Sequence, residues 1–439
     1  MKYFLAVDIY PFYGRHVIGW IEKGKLKTEE VYRFLNNPVN FEGHKVWDIE
    51  YIFEKVCKGL EECAKKYPKI ETMAIDAFGT DYVIMREDEE VLPVYSYLDE
   101  MPMQTIEELH SLIPFKQIYE RTGVGFRNFN SIYRLYSDKK EERLDGATDF
   151  LMIPEYIAYR LTGNKKKELT GAATTSMINV STLRFDRKIW SIMGLPITLD
   201  MGFSPFGTSV GRFKPEIAKN IGLDTEVILT ATNAAANAIE SIDVAERKPY
   251  VLLGGRILIG AKTSNAIVDD KSRELGYSNS RGVEYNRYQK SIMGMALIDD
   301  LVRELCPNAD SLKTTELARA SNFEEIFDIM DESFTKEGVR AAIDAYLFGH
   351  GKPYPKTIED YFKAAYNSIA FYISEAVEEI EHSSFDLFYE IYLSGTKTES
   401  EYIAELLRRH SRKNVIILPP CDSAVGNIKL QMIANKLKR

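Results

Sequence analysis

Residues 74–83 read Ala-Ile-Asp-Ala-Phe-Gly-Thr-Asp-Tyr-Val. An apolar run, Glu71–Asp76, ends in an acid, turns at Gly79 and meets a second acid, Asp81. Another apolar run, Tyr82–Met85, follows, so the pattern predicts strand, turn, strand. Upstream, Tyr3–Val7 predicts a buried strand just before Asp8, and Pro11–Gly14 predicts a turn. His16–Trp20 and Glu29–Phe34 predict the next two strands. Asp48–Lys66 then predicts an amphipathic helix, with Ile52, Val56, Leu60 and Cys63 at helical spacing and Asp48 placed to start it.

The second half repeats this order loosely. Tyr250–Leu253 predicts a strand, Gly254–Gly255 a tight turn and Ile257–Ala261 a returning strand. Thr357–Glu381 predicts a long helix carrying Phe362, Tyr366, Ile369, Ile373 and Ile380 on one face. Strand Glu390–Leu393, helix Glu399–Arg409, strand Val415–Leu418 and helix Ala424–Lys436 complete the series. The expectation is a duplicated α/β domain, with residues 1–243 and 244–439 as the halves and Ala231–Asp243 as the hinge.

Composition narrows the function. The chain has 439 residues, enough for two or three domains, and a net charge of −9. An acidic surface repels a phosphate backbone, which argues against general nucleic-acid binding. Lys165–Lys166–Lys167, the one run of three basic residues, reads as a solvated loop. The four cysteines form no CxxC pair, and the six histidines show no ligand spacing. A reducing cytoplasm without structural zinc is expected. The apolar start, Tyr3–Val7, is too short for a signal-peptide core or a membrane span.

The segment 74–83 resembles the rhamnulokinase stretch Ile-Asp-Thr-Trp-Gly-Val-Asp-Tyr. Further pieces occur in that family's order. They are Val46–Ile49, Tyr119–Gly123, Phe129–Leu135, Met152–Tyr156 with Tyr159–Gly163, Thr170–Thr175 and Gly426–Ile428. The ordered set resembles the FGGY carbohydrate kinases. That resemblance implies an α/β fold of the actin/hexokinase (ribonuclease H-like) type, with two lobes and a cleft between them. It implies ATP and Mg²⁺ as cofactors and a small sugar as ligand. A homo-oligomer is compatible with it. It places Gly79, Asp81 and Asn233 on the sugar side. It places Asp8, Gly14, Arg15, Gly254, Gly255, Gly395 and Gly426 on the nucleotide side, with Asp8 as the metal-proximal carboxylate.

The chemistry of such a kinase needs a carboxylate to take the sugar's proton, a metal to neutralise phosphate charge, and bare backbone around the phosphates. Three sites depart from the family. Its opening Val-Asp-Leu-Gly-Ala-Ser-Ser-Gly-Arg is here Val7-Asp8-Ile9-Tyr10-Pro11-Phe12-Tyr13-Gly14-Arg15. Three rings and a proline replace small residues, and Pro11 has no N–H to donate. The family's Ala-Ser-His-Asp-Thr-Ala-Ser-Ala is here Ala231–Ala238, with Ala234 at the position of the general base. The second phosphate turn, Ser-Ser-Gly-Thr-Trp-Ser, is here Leu252-Leu253-Gly254-Gly255-Arg256-Ile257, and the adenine-side Gly-Gly-Gly is Ser394-Gly395-Thr396.

Each candidate also has a plainer reading. Asp8 fits an acid closing a turn, Asp76 a structural strand end, Trp47 core packing, Gly254–Gly255 a simple hairpin and Asp422 a helix cap. The expectation is therefore a rhamnulokinase-like pseudoenzyme that keeps sugar binding. The alternatives are an active ketose kinase using another carboxylate, such as Asp81, and a purely structural or interaction protein.

Overall fold

The computed structural model describes residues 1–331, 334 and 338–437. It divides into two compact units. The first comprises Met1–Ser241, Val268–Asn286 and Asp422–Arg439, and the second Ile242–Ile267 and Arg287–Cys421.

In the first unit, strand Phe4–Ile9 pairs antiparallel with Tyr13–Glu22 and parallel with Thr72–Ala77. Glu226–Ile228 extends the sheet parallel to Thr72–Ala77. Apolar side chains fill both faces of Phe4–Ile9, as expected of a central parallel strand. The parallel register sets Asp8 beside Asp76, the acid that ends each strand's apolar run. Helix Ile49–Lys66 covers one face, burying Ile52, Val56, Leu60 and Cys63 against Leu5, Val7 and Met73. Asp48 caps it by accepting the Tyr51 N–H at 2.9 Å.

The second unit repeats the plan. Pro249–Leu252 pairs antiparallel with Arg256–Thr263 and parallel with Glu390–Ser394, which pairs parallel with Asn414–Leu418. Helix Ile358–Ser384 starts with a capping box formed by Thr357 and Asp360. Its face of Phe362, Tyr366, Ile369, Ile373 and Ile380 is buried. The same order, hairpin followed by parallel strands, thus occurs in both units.

A linear division at 243/244 does not describe this partition, because the last helix, Ser423–Leu437, belongs to the first unit. Its Ala424 and Ile428 pack with Phe4, Ala6 and Val17. Gly426 permits close approach to helix Ala234–Ser241: a Cβ there would lie 1.8 Å from the Asn237 carbonyl oxygen. Gly426→Ala forces the two helices apart. It is expected to cost about 1–3 kcal/mol or more, read from urea unfolding. A variant as stable as the parent contradicts the packing.

Candidate functional site

Two chain segments meet at the end of strand Thr72–Ala77. The Ala77 N–H donates to the Thr232 carbonyl at 3.0 Å, and Ala77 forms a parallel bridge with Asn233. Gly79 and Asn233 consequently line one pocket, of about 260 Å³, within the first unit. A Cβ on Gly79 would lie 2.7 Å from Thr174 Cγ2, so only glycine admits Thr174 at this wall. Thr80 takes a φ of +80°, unusual for a β-branched residue. Its surroundings hold it there: Thr174 Oγ1 accepts the Thr80 N–H at 2.9 Å. Strain held at a ligand pocket is a recognised mark of function.

The wall alternates rings and polar groups. Phe78, Tyr97 and Phe129 are interleaved with Arg127, Asn130 and Ser278. Tyr97 meets Phe129 edge-on at 5.6 Å. Such a wall offers apolar faces to a sugar ring and donors and acceptors to its hydroxyls. Among the described residues lining the pocket there is no Asp, Glu or His.

Glu168 fixes the Asn233 side of the pocket. Its carboxylate accepts from the backbone N–H groups of Thr170, Gly171 and Thr232, and from the hydroxyls of Thr170 and Thr232. Sequence reading passed over Glu168, because its bonds to Thr232 join residues 64 positions apart. Asn233 Oδ1 accepts the Ala236 N–H at 3.1 Å and so caps helix Ala234–Ser241. Ala234, the first residue of that helix, is buried and presents only a methyl group.

Asp81 does not line this pocket. Its Oδ2 accepts from Trp47 Nε1 at 2.6 Å and from the Tyr97 N–H at 2.9 Å, and its Oδ1 from Thr80 Oγ1 at 3.0 Å. Trp47 is thus a buried residue that holds Asp81, and Asp81 lines an adjoining concavity with Thr80, Tyr97, Phe129 and Asn130. Burial pushes the Asp81 carboxyl up to about 7. A folded-state value above the unfolded one, near 3.9, means the native state binds more protons between about pH 4 and 7. The contribution to stability is complete below that window and is lost as the pH rises through it. In Asp81→Asn the amide oxygen can still accept from Trp47 and Tyr97. The variant is expected to show a shallower fall in Tm from pH 4.5 to 7.5 than the parent. Glu155, which burial pushes up to about 8, leaves a residual slope of the same sign. Identical profiles for the two proteins contradict a shifted Asp81.

The nucleotide-side candidates of the first unit form a buried polar cluster. Asp8 is fully buried. Its Oδ2 accepts from Arg15 Nε at 2.8 Å and from Ser423 Oγ at 2.7 Å. Arg15 also holds Asp422, with Nη2–Oδ1 at 2.6 Å. Asp422 caps the last helix through the Ala424 N–H at 2.9 Å. Asp76 Oδ2 accepts from the side-chain amides of Asn237 and Asn427, each at 2.7 Å. Oδ1 of Asp8 and Oδ1 of Asp76 receive no other donor. Burial and the neighbouring Asp8 charge raise Asp76 well above the usual carboxylate range. Burial raises Asp8 too, against the pull of Arg15. Of the two, Asp76 is pushed further toward its neutral form.

A divalent cation does not fit at Asp8 as it stands. The carboxylate is sealed from solvent and its Oδ2 is committed to Arg15 and Ser423. Gly14 serves packing, since a Cβ there would lie 2.1 Å from Phe34 Cζ. The turn between the first two strands closes through the Tyr10 N–H to the Tyr13 carbonyl at 2.8 Å. The Tyr10 hydroxyl bonds Ser423 Oγ at 2.7 Å, and its ring stacks on Tyr13 at 4.9 Å. Arg33 covers Tyr13 from 4.4 Å. Phe12 projects into solvent, so two of the three rings, not all three, fill the turn.

In the second unit, Gly254 and Gly255 form the hairpin turn, and their carbonyls accept the Met295 and Ala296 N–H groups. A Cβ on Gly395 would lie 2.8 Å from Leu253 Cβ, so this glycine serves close packing beside the turn.

Residues 20–237 match the N-terminal domain of the FGGY family of carbohydrate kinases. The chain is 30% identical over 435 residues to a rhamnulokinase of Oceanobacillus iheyensis, covering 98% of this chain and 93% of that one. The chain belongs to the FGGY family of carbohydrate kinases. A Bacillus subtilis rhamnulokinase is 28% identical over 442 residues, covering 99% and 90% of the two chains. Among solved structures, a ligand-bound xylulose kinase from Lactobacillus acidophilus superposes with a TM-score of 0.83 at 17% identity, covering 100% of this chain and 90% of that one. Plasmodium falciparum glycerol kinase with ADP gives 0.80 at 13% identity, covering 100% and 90%. The fold is thus the two-domain α/β fold of FGGY kinases, a family that uses ATP and a divalent metal. Among the described residues, no helix is long and apolar enough to cross a membrane.

Proposed function

We propose that this FGGY chain is a rhamnulokinase-like sugar-binding protein that has lost phosphoryl transfer. The observation that carries the reading is Ala234, a buried methyl next in sequence to Asn233, whose pocket is lined by no carboxylate or imidazole among the described residues. Gly79 and Asn233 contact the sugar, and Phe78, Tyr97 and Phe129 pack against its ring. Asp81 supports the pocket from behind through Trp47 and Tyr97 instead of acting as a substitute base. Four cysteines outside any disulfide suit a reducing cytoplasm.

Loss of a positioned general base costs about 10²–10⁴ in rate. A coupled ADP-release assay with L-rhamnulose or a related ketose is expected to show negligible turnover. Steady turnover on the order of 1 s⁻¹, from protein free of host kinase, contradicts the reading.

A further inference from the structure

A second concavity of the first unit lies apart from the sugar pocket. Strands Val39–Phe41, His44–Trp47 and Val94–Tyr95 form a small antiparallel sheet, with Val39–Phe41 at its edge. Val39 and Phe41, two residues apart and so on one face, are each about half exposed, at 47% and 48%. Leu92 is 64% exposed. These side chains open onto a groove of about 570 Å³, floored by Trp47, Ile49 and Val94. Natural proteins normally blunt an apolar edge strand, because its unpaired backbone recruits another chain. Here the edge strand is short, three residues after Pro38, and its outer side pairs with no other described strand above the apolar groove.

Charge says what kind of chain fits. Glu42, Asp48, Glu50 and Glu90 line the groove, and among the described residues no Lys, Arg or His does. Asp48 is engaged as a helix cap, Arg160 pairs with both Glu50 at 2.9 Å and Glu90 at 3.6 Å, and Glu90 accepts from the Tyr156 hydroxyl at 2.6 Å, so the rim keeps a net negative charge centred on Glu42. Glu42 stands exposed at the end of the edge strand. A second copy of this chain, docked groove to groove, would set carboxylate against carboxylate. A basic partner is complementary.

We propose that this groove binds an extended segment of another protein that alternates apolar and basic residues. The segment adds a strand to Val39–Phe41, places apolar side chains in the groove and sets its Lys or Arg residues against the acidic rim. This site goes beyond sugar binding and shares no lining residue with the sugar pocket, although Trp47 on its floor packs 4.9 Å from Phe78 of that pocket.

The test uses the full-length protein and two fluorescent peptides of equal length, one alternating Val with Lys and one alternating Val with Glu. Anisotropy titration is expected to show binding of the Lys peptide and at least about tenfold weaker binding of the Glu peptide. Backbone N-methylation along one edge of the Lys peptide removes its strand-pairing donors and should abolish binding. Phe41→Ser and Glu42→Lys should each weaken it about tenfold. Both positions are exposed, and an unchanged Tm confirms that the variants fold. Glu316→Lys, at an exposed position of helix Ser311–Ala320 in the second unit, changes net charge as much as Glu42→Lys and should leave binding intact. Absence of binding, equal binding of both peptides, full binding of the N-methylated peptide, or an equal loss in Glu316→Lys overturns the proposal. So does a homodimer that Phe41→Ser dissociates while the Lys peptide fails to bind.

Discussion

Ala234→Asp supplies the missing proton acceptor and is still expected to give no sugar-dependent ADP release. Phosphoryl transfer depends on seating the phosphates and stabilising their charge as much as on the base. Family resemblance puts the phosphates at the turn after Asp8, where small residues leave backbone N–H groups exposed. In this chain Pro11 has no N–H, and Tyr10 is fixed at both ends. Its N–H closes the turn, and its hydroxyl is bonded to Ser423, which donates to Asp8. Tyr13 is stacked beneath it and held by Arg33. A nucleotide would have to displace this set. Combining Ala234→Asp with Tyr10→Gly, Pro11→Ala, Phe12→Ser and Tyr13→Ser should gain nucleotide binding, measured by titration. Phe12 already faces solvent, so reverting it alone should change nothing. Clear ADP release from Ala234→Asp alone would show that the turn obstructs nothing.

Arg15→Met should be among the most destabilising single changes in the first unit. Asp8 lies wholly out of water, and the guanidinium is its neutralising partner. Removing one member of a buried pair leaves a charge that must stay unpaired or take up a proton, at about 3–5 kcal/mol. That is a large share of the roughly 5–15 kcal/mol that holds a typical domain folded. Asp8→Asn in the same protein removes the stranded charge and should recover part of the loss, with a coupling of about 0.5–3 kcal/mol. Urea unfolding of the two single variants and the double variant measures it. A loss below about 1 kcal/mol for Arg15→Met would mean that Asp8 is solvated.

Much of the fold was legible because its signals are local. The apolar run Tyr3–Val7, the turn at Pro11 and the Asp48 cap each announce themselves within a few residues. The 74–83 segment, with its ordered companions, carried the family. Partnership across the chain was not legible. Asp8 meets Ser423, 415 positions away, and Asp76 meets Asn427, 351 positions away, only once the sheet and the last helix are assembled. For the same reason the last helix looked like part of the second half. The bond that Trp47 donates to Asp81 is likewise one that no spacing rule encodes. Gly426 sits in a family motif, and its structural role is to let two helices touch.

The central claim is that the pocket at Gly79 and Asn233 holds a sugar that is not phosphorylated. Calorimetric titration of L-rhamnulose and related ketoses into the full-length protein, with ATP and Mg²⁺ present, reads binding and turnover together. The account predicts a saturating isotherm for at least one ketose, with heat that returns to baseline after each injection. Sustained heat after each injection, matched by ADP accumulation, would mean that the kinase is active. No heat for any ketose would mean that the pocket has lost its sugar as well.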